Sequence, residues 1–317
     1  MKFDCYLDQR RFWFILPVIA KSGMIGRVFP EKIRKTACFY SEKINIYIDT
    51  SDGIASDFGV PEYCDRILKI VEDTRGKPFL FFKPWYSPTL CEPIDRVARE
   101  NNGKVIPFMY WADWDHFIHG VWPNRKELYN KNKLTPKIYD TGACVRTEKR
   151  IIPKPSKFDD RISWKGYGWF GFGPEEDTGY YEHDARIKID KILRDSRLSY
   201  QQISGVSFSD YLDRSMSWKA LVDMPGIACV SHRMFENGWV GQCVVLCKND
   251  VDFPYSWKDY YPEVDYSDPD CVETLGKIVE NYQEWSDKIT HYLETYCTPL
   301  KIGNYFLSKV VEELDNL

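Results

Sequence analysis

The stretch PGIACVSHRMFENGWVGQCVVL, Pro225 to Leu246, sets two apolar runs, IACV and QCVVL, on either side of one short polar segment. Short apolar, β-branched runs bounded by glycine read as buried strands. The segment between them is too long for a hairpin turn and suits a helix of about two turns. Strand, helix, strand is the crossover unit of a parallel sheet, because parallel neighbours need a connection that passes back over the sheet. Ser231 is expected to cap the helix, followed by His232, with Arg233 in the first turn and Glu236 one turn on. An arginine at a helix start suits a phosphate, since free backbone N–H groups and the helix dipole add to the guanidinium. The same residues also suit a structural Arg–Glu pair three positions apart.

The rest of the chain repeats the alternation. KINIYID, ending at Asp49, reads as a strand and is followed by the polar loop TSDGIASDFG. PEYCDRILKIVEDT then spaces its apolar residues as a helix does, with Pro61 suited to the first turn. GKPFLFF and GKVIPFMYW are further strands, separated by the helix-like EPIDRVAREN. Between about Phe117 and Arg161 regular signals fade into segments rich in Pro, Lys and Asn. A second series follows, with YGWFGFG as a strand, EHDARIKIDKILRDS as a helix, and then the opening stretch. DCVETLGKIVENYQEWSDKITHYLETYC reads as a long helical region broken once, and NYFLSKVVEELDNL as a closing helix. Alternating strands and helices predict an α/β fold with two Rossmann-like domains facing a cleft. The expected divisions are 1–135, 136–300 and a C-terminal helix, 301–317, packing back on the first domain.

Composition limits the function classes. A net charge of −4 over 317 residues leaves no broad basic surface for nucleic acid. RFWFILPVIA is too short to span a bilayer, and no small-residue cleavage site follows it. The 10 cysteines are scattered singly, without a CxxC pair or zinc spacing, as in a reducing compartment. A soluble, cytoplasmic protein without a structural metal is expected. Aromatics at 16% hint at sugar contact, and equally at an aromatic core. The same choice holds for Trp164, Tyr167, Trp169 and Tyr180 in the Gly-rich segment 155–184.

WKALVDMPGIACVSHRMFENGWVGQCVVLCK resembles the C-terminal core of glycosyltransferase family 90, the capsule-associated and protein O-glucosyltransferase family. The matching residues are Trp218, Lys219, Asp223, Gly226, Ser231 and Arg233, and the similarity continues into SWKDYYPEVDYSDPDCVETLGKIV. Fainter likeness reaches back to YGWFGFG, where Gly171 replaces the family's arginine, and to NIYIDTSD. Glu236 follows instead the Arg-x-x-Glu signature of other two-domain glycosyltransferases. The resemblance implies a two-domain, GT-B type enzyme that moves glucose or xylose from a UDP-sugar to a glycan or protein-glycan hydroxyl. Inversion without an essential metal or other cofactor is expected.

Such transfer needs the leaving diphosphate neutralised, the nucleotide held and the acceptor hydroxyl deprotonated. Arg233, Lys219, Arg186 and Arg146 are candidates for the first role and Glu236 for the second; Ser231, His232 and Gly226 complete the expected donor site. Asp52, in the loop after Tyr47, resembles the family's catalytic aspartate, with Asp49 as the alternative and His183 as a further possible base. A competing reading comes from ADWDH, in which Asp113, Asp115 and His116 could hold a divalent metal under a diphosphate. A non-catalytic carbohydrate- or nucleotide-binding module is the rival from another class.

Overall fold

The computed structural model describes residues 1–7, 16–30, 36–49, 59–84, 86–109, 121–145, 151–152, 180–181, 184–225 and 231–317. Contacts divide the chain into two compact units. The first comprises Met1–Ala112, Asp250–Tyr255 and Thr295–Leu317, and the second Asp113–Asn249 and Ser256–Glu294.

The first unit holds a six-stranded mixed sheet. Its strands in chain order are β1 (Phe3–Leu7), β2 (Ile25–Pro30), β3 (Thr36–Tyr40), β4 (Asn45–Asp49), β5 (Phe79–Pro84) and β6 (Gly103–Phe108). They lie in the order β2-β1-β3-β4-β5-β6. From β4 onward the pairing is parallel, as the alternation predicts, but β3 runs antiparallel to both β1 and β4. Central strands β4 and β5 are buried at every position, with apolar runs IYI and FLFF flanked by the polar Asn45, Asp49 and Lys83. Pro107 is tolerated because β6 is an edge strand and need not donate outward.

Helices α1 (Leu16–Lys21), α2 (Gly59–Thr74) and α3 (Pro88–Glu100) belong to this unit. So does the C-terminal helix Pro299–Asp315, which Thr298 caps by accepting from the Lys301 N–H. Its Phe306 ring lies 4.8 Å from Phe82 and 5.5 Å from Phe39, centroid to centroid.

The second unit opens with α4 (Trp122–Leu134), where the sequence shows no regular signal. The expected division at 135/136 therefore cuts through this unit, and α4 is tied into it by the Asn132 Nδ2 bond to the Gly241 carbonyl, 2.7 Å. Next come β7 (Tyr139–Cys144), the paired two-residue strands β8 (Ile151–Ile152) and β9 (Tyr180–Tyr181), and α5 (Asp184–Asp195). They are followed by β10 (Tyr200–Ile203), α6 (Phe208–Ser215), β11 (Trp218–Asp223), α7 (Arg233–Trp239) and β12 (Cys243–Cys247). The short β13 (Glu263–Val264) precedes α8 (Cys271–Glu280) and α9 (Tyr282–Tyr296), which break apart at Asn281; the C-terminal helix is α10.

Strands β10-β7-β11-β12-β13 form one all-parallel sheet. Counted along the unit this is the doubly wound order 2-1-3-4-5. Ala220, Val222, Cys243 and Val245 join a core with Ile189 and Leu193 of α5 and Leu275 of α8. Their alternates, Leu221, Asp223, Val244 and Leu246, face the other side, since successive strand side chains point opposite ways. The Trp218 ring lies over Gly142 of β7, where an added Cβ would come within 2.0 Å of it. Gly241, at φ +73°, follows α7 in the left-handed region that favours glycine.

The partner of β12 in the crossover is β11, from the run WKALVD, and not IACV, whose residues 227–230 lie outside the described ones. YGWFGFG, 167–173, also lies outside them. No helix among the described residues is long and apolar enough to cross a membrane.

Candidate functional site

In a doubly wound sheet, ligands bind beyond the carboxyl ends of the strands, where the winding direction reverses. Here that point lies between β7 and β11. From β7 the chain passes to one neighbour, β10, and from β10 it returns to the other, β11. The two carboxyl ends present Cys144 and Asp223.

Asp223 organises this edge. Its carboxylate is wholly buried and accepts from the Ser231 N–H at 2.8 Å and the Ser231 hydroxyl at 2.5 Å. Arg233 Nη1 stands 3.9 Å from the same carboxylate, and Arg233 keeps 26% of its side chain exposed. Burial raises the Asp223 pKa, while Arg233, the two Ser231 hydrogen bonds and Arg186 pull it back. Arg186, reaching in from α5, donates from Nε to the Pro225 carbonyl at 2.7 Å. Burial likewise raises the Cys144 thiol, opposed by Arg233 and Arg186 and aided by Glu236. Behind them Tyr211 of α6 is buried, donates to Asn237 Oδ1, and has its phenol pushed well up by desolvation.

The edge thus brings together Ser231, Arg233, Arg186 and Glu236, the last only 7% exposed. Two guanidinium groups face two acidic side chains across a mostly buried cluster. The capping expectation needs correction. His232 is the N-cap of α7, and Ser231 precedes it; the Ser231 hydroxyl accepts from the Arg233 N–H at 3.2 Å while donating to Asp223. Seven residues long, α7 is just short of two turns.

Lys219 does not join the cluster. It lies at the amino end of β11, four residues before Asp223, so about 13 Å away along the strand. Its Nζ is paired with Asp140 at 2.8 Å. Asp49, in the first unit, is also engaged: its carboxylate meets Lys83 Nζ at 3.1 Å, with both side chains wholly buried. Tyr47, two residues earlier, donates to Asp73 at 2.9 Å.

Gly226, Asp52, Asp113, Asp115, His116, Arg146, Gly171, His183, Trp164, Tyr167 and Trp169 all lie outside the described residues. Tyr180 opens β9. Among the described residues, no group of three or more His, Cys, Asp and Glu side chains could hold a metal ion.

The sequence reading did not foresee Cys144, Tyr211 and Asn237 in this cluster. Asp223 had a signal: a lone acid closing the apolar run ALV needs buried donors. Nothing local marks the other three, because they come from separate elements.

No family model matches the sequence, and no curated protein does. Among solved structures, a glycosyltransferase from Rickettsia africae ESF-5 superposes over 95% of this chain and 88% of its own. The two share 8% identity, with a TM-score of 0.33. So distant a likeness assigns neither fold family nor chemistry.

Proposed function

We propose that the second unit holds the diphosphate of a nucleotide sugar beyond the carboxyl ends of β7 and β11. The observation that carries this is the convergence of Arg233 and Arg186 on Asp223 at the point where the winding reverses. Asp223 and Ser231 fix Arg233 from behind, so its orientation is set before any ligand arrives. Preorganised positive charge of this kind stabilises a leaving diphosphate as the glycosidic bond breaks. Glu236 is assigned to the ribose hydroxyls.

The reaction that fits is transfer of glucose or xylose from UDP to a hydroxyl of a glycan acceptor. The acceptor oxygen attacks the anomeric carbon, the bond to the diphosphate oxygen breaks with its electrons on UDP, and the hydroxyl proton passes to a carboxylate. Asp52 is proposed for that last role, and neutralisation by arginine makes a metal dispensable. Resemblance to the family supports the sugar and the inversion; the arginine cluster supports the anion.

Two measurements test this. Pure protein with UDP-glucose or UDP-xylose and a glycan acceptor should release UDP, and UDP binding without any release would make the protein a binding module. Arg233→Ala should weaken UDP affinity by about tenfold or more, as expected for loss of a charge-assisted contact. Unchanged affinity would remove the diphosphate from this edge.

A further inference from the structure

At the opposite, amino edge of the same parallel sheet lies a half-open cavity of about 280 Å³. Three lysines line it: Lys133 at the end of α4, Lys137 just after it, and Lys219 at the start of β11. Gln242, Gln283 and Ser286 add polar groups, and the first turn of α9 begins at its wall. Lys219 is already balanced by Asp140, and Lys133 lies 4.6 Å from the centre of the Tyr129 ring. Lys137 differs. Its ammonium donates to Asn132 Oδ1 at 2.6 Å, to the Met216 carbonyl at 2.6 Å and to the Asn132 carbonyl at 3.1 Å. All three acceptors are uncharged and together they take the ammonium's three N–H donors, while no carboxylate among the described residues pairs with it; Lys137 therefore offers an anion its charge at close range rather than a free donor.

We infer that this cavity binds a small oxyanion of the phosphate class, with Lys137, Lys133 and Lys219 as its cationic partners. One carboxylate, Asp287, lines the cavity and Asp140 is engaged by Lys219, so three ammonium groups meet two acids and an excess positive charge remains. A half-buried ammonium without a counter-ion is a standing cost that an anion would relieve. Burial also lowers the Lys137 pKa to about 8, the direction expected of an ammonium drawn out of water. Lysines act as point charges and do not demand a planar, bidentate partner, so a tetrahedral oxyanion suits them better than a lone carboxylate. The cavity exceeds a bare phosphate ion and sits near the small end of ligand sites, which favours the monoester of a small metabolite. This site is separate from the proposed donor site, about 13 Å away along β11.

Calorimetric titration of the full chain with inorganic phosphate and with glycerol 3-phosphate, at ionic strength held constant with chloride, tests the inference. Both probes should bind saturably. Tighter binding of glycerol 3-phosphate identifies a monoester, and equal binding identifies free phosphate. Lys137→Met should weaken both by about tenfold, and Lys133→Gln by a smaller factor. Arg233→Ala should retain the part of this binding that Lys137→Met weakens, since it acts at the other edge. Lys137→Met leaves two carbonyls and an amide oxygen without their donor; should it fail to fold, Lys133→Gln, at an exposed position, decides alone. The inference falls if neither probe saturates, if the folded lysine variants bind as the wild type does, or if Arg233→Ala alone abolishes binding.

Discussion

Asp49 and Asp223 are both wholly buried strand-end carboxylates, yet their neighbours give them different parts. Asp223 is held by a serine and an arginine that is partly open to solvent, whereas Asp49 is sealed against Lys83. Removing one partner of a sealed pair leaves an uncompensated charge. Asp49→Asn should therefore lower unfolding free energy by about 3–5 kcal/mol in a denaturant titration. Asp52→Asn, if Asp52 is the base, should instead keep stability and reduce turnover by about 10²–10⁴-fold. Wild-type stability in Asp49→Asn would show that Lys83 does not depend on it.

Lys137 gives a pH signature. Its ordinary pKa is 10.5, and burial lowers it to about 8 in the folded chain. Between these values the unfolded chain binds a proton that the folded chain has lost, so this residue's contribution to stability rises from about pH 8 to pH 10.5. Urea titrations below and within that window should show the wild type gaining on Lys137→Met as pH increases. A constant difference between the two would mean that Lys137 titrates as an ordinary lysine.

Among the elements, patterning missed β1 to β3, β7, β10 and β13 and, of the long helices, α4. Its only wholly buried side chain is Asn132, so no apolar stripe marks it as a helix. Pro123 sits in the first turn, where its missing N–H leaves no intrahelical bond unmade. Strands β7 and β11 show the opposite dependence, on a residue with no side chain at all. Gly142 makes room for the Trp218 ring, whose Nε1 donates to Gln201 of β10 at 2.7 Å and so spans three strands. Gly142→Ala should cost about 1–3 kcal/mol from overpacking, seen as a lower denaturant midpoint. An unchanged midpoint would mean that the ring moves aside freely.

Taken whole, the chain returns to its first unit after completing the second, so α10 belongs with strands made at the other end of the sequence. Phe306 is its anchor, 1% exposed and in contact with Phe39, Phe82 and Phe108. Phe306→Ala should destabilise by about 3–5 kcal/mol, as for other large-to-small core changes. Little change in the unfolding midpoint would show that α10 contributes no core. For the proposed reaction, activity should persist within a few-fold in excess EDTA, because arginines neutralise the leaving group. Loss on chelation, restored by Mn²⁺, would transfer that role to Asp113 and Asp115.

The sequence by itself determined the α/β alternation, the parallel run from β4 to β6, the break between α8 and α9, and the short helix carrying Arg233. Each follows from local periodicity and glycine punctuation, which act over a few residues. What it could not determine is which residues meet. Arg186 and Arg233 are 47 positions apart by number (233 − 186) and converge because β7 and β11 are neighbours in the sheet. Lys219 and Asp223 share one strand and lie at opposite edges, since an extended chain advances about 3.3 Å per residue. Strand order and register, set by packing across the whole sheet, decided which charges form the candidate site, which are sealed as Asp49 and Lys83 are, and which surround a second cavity.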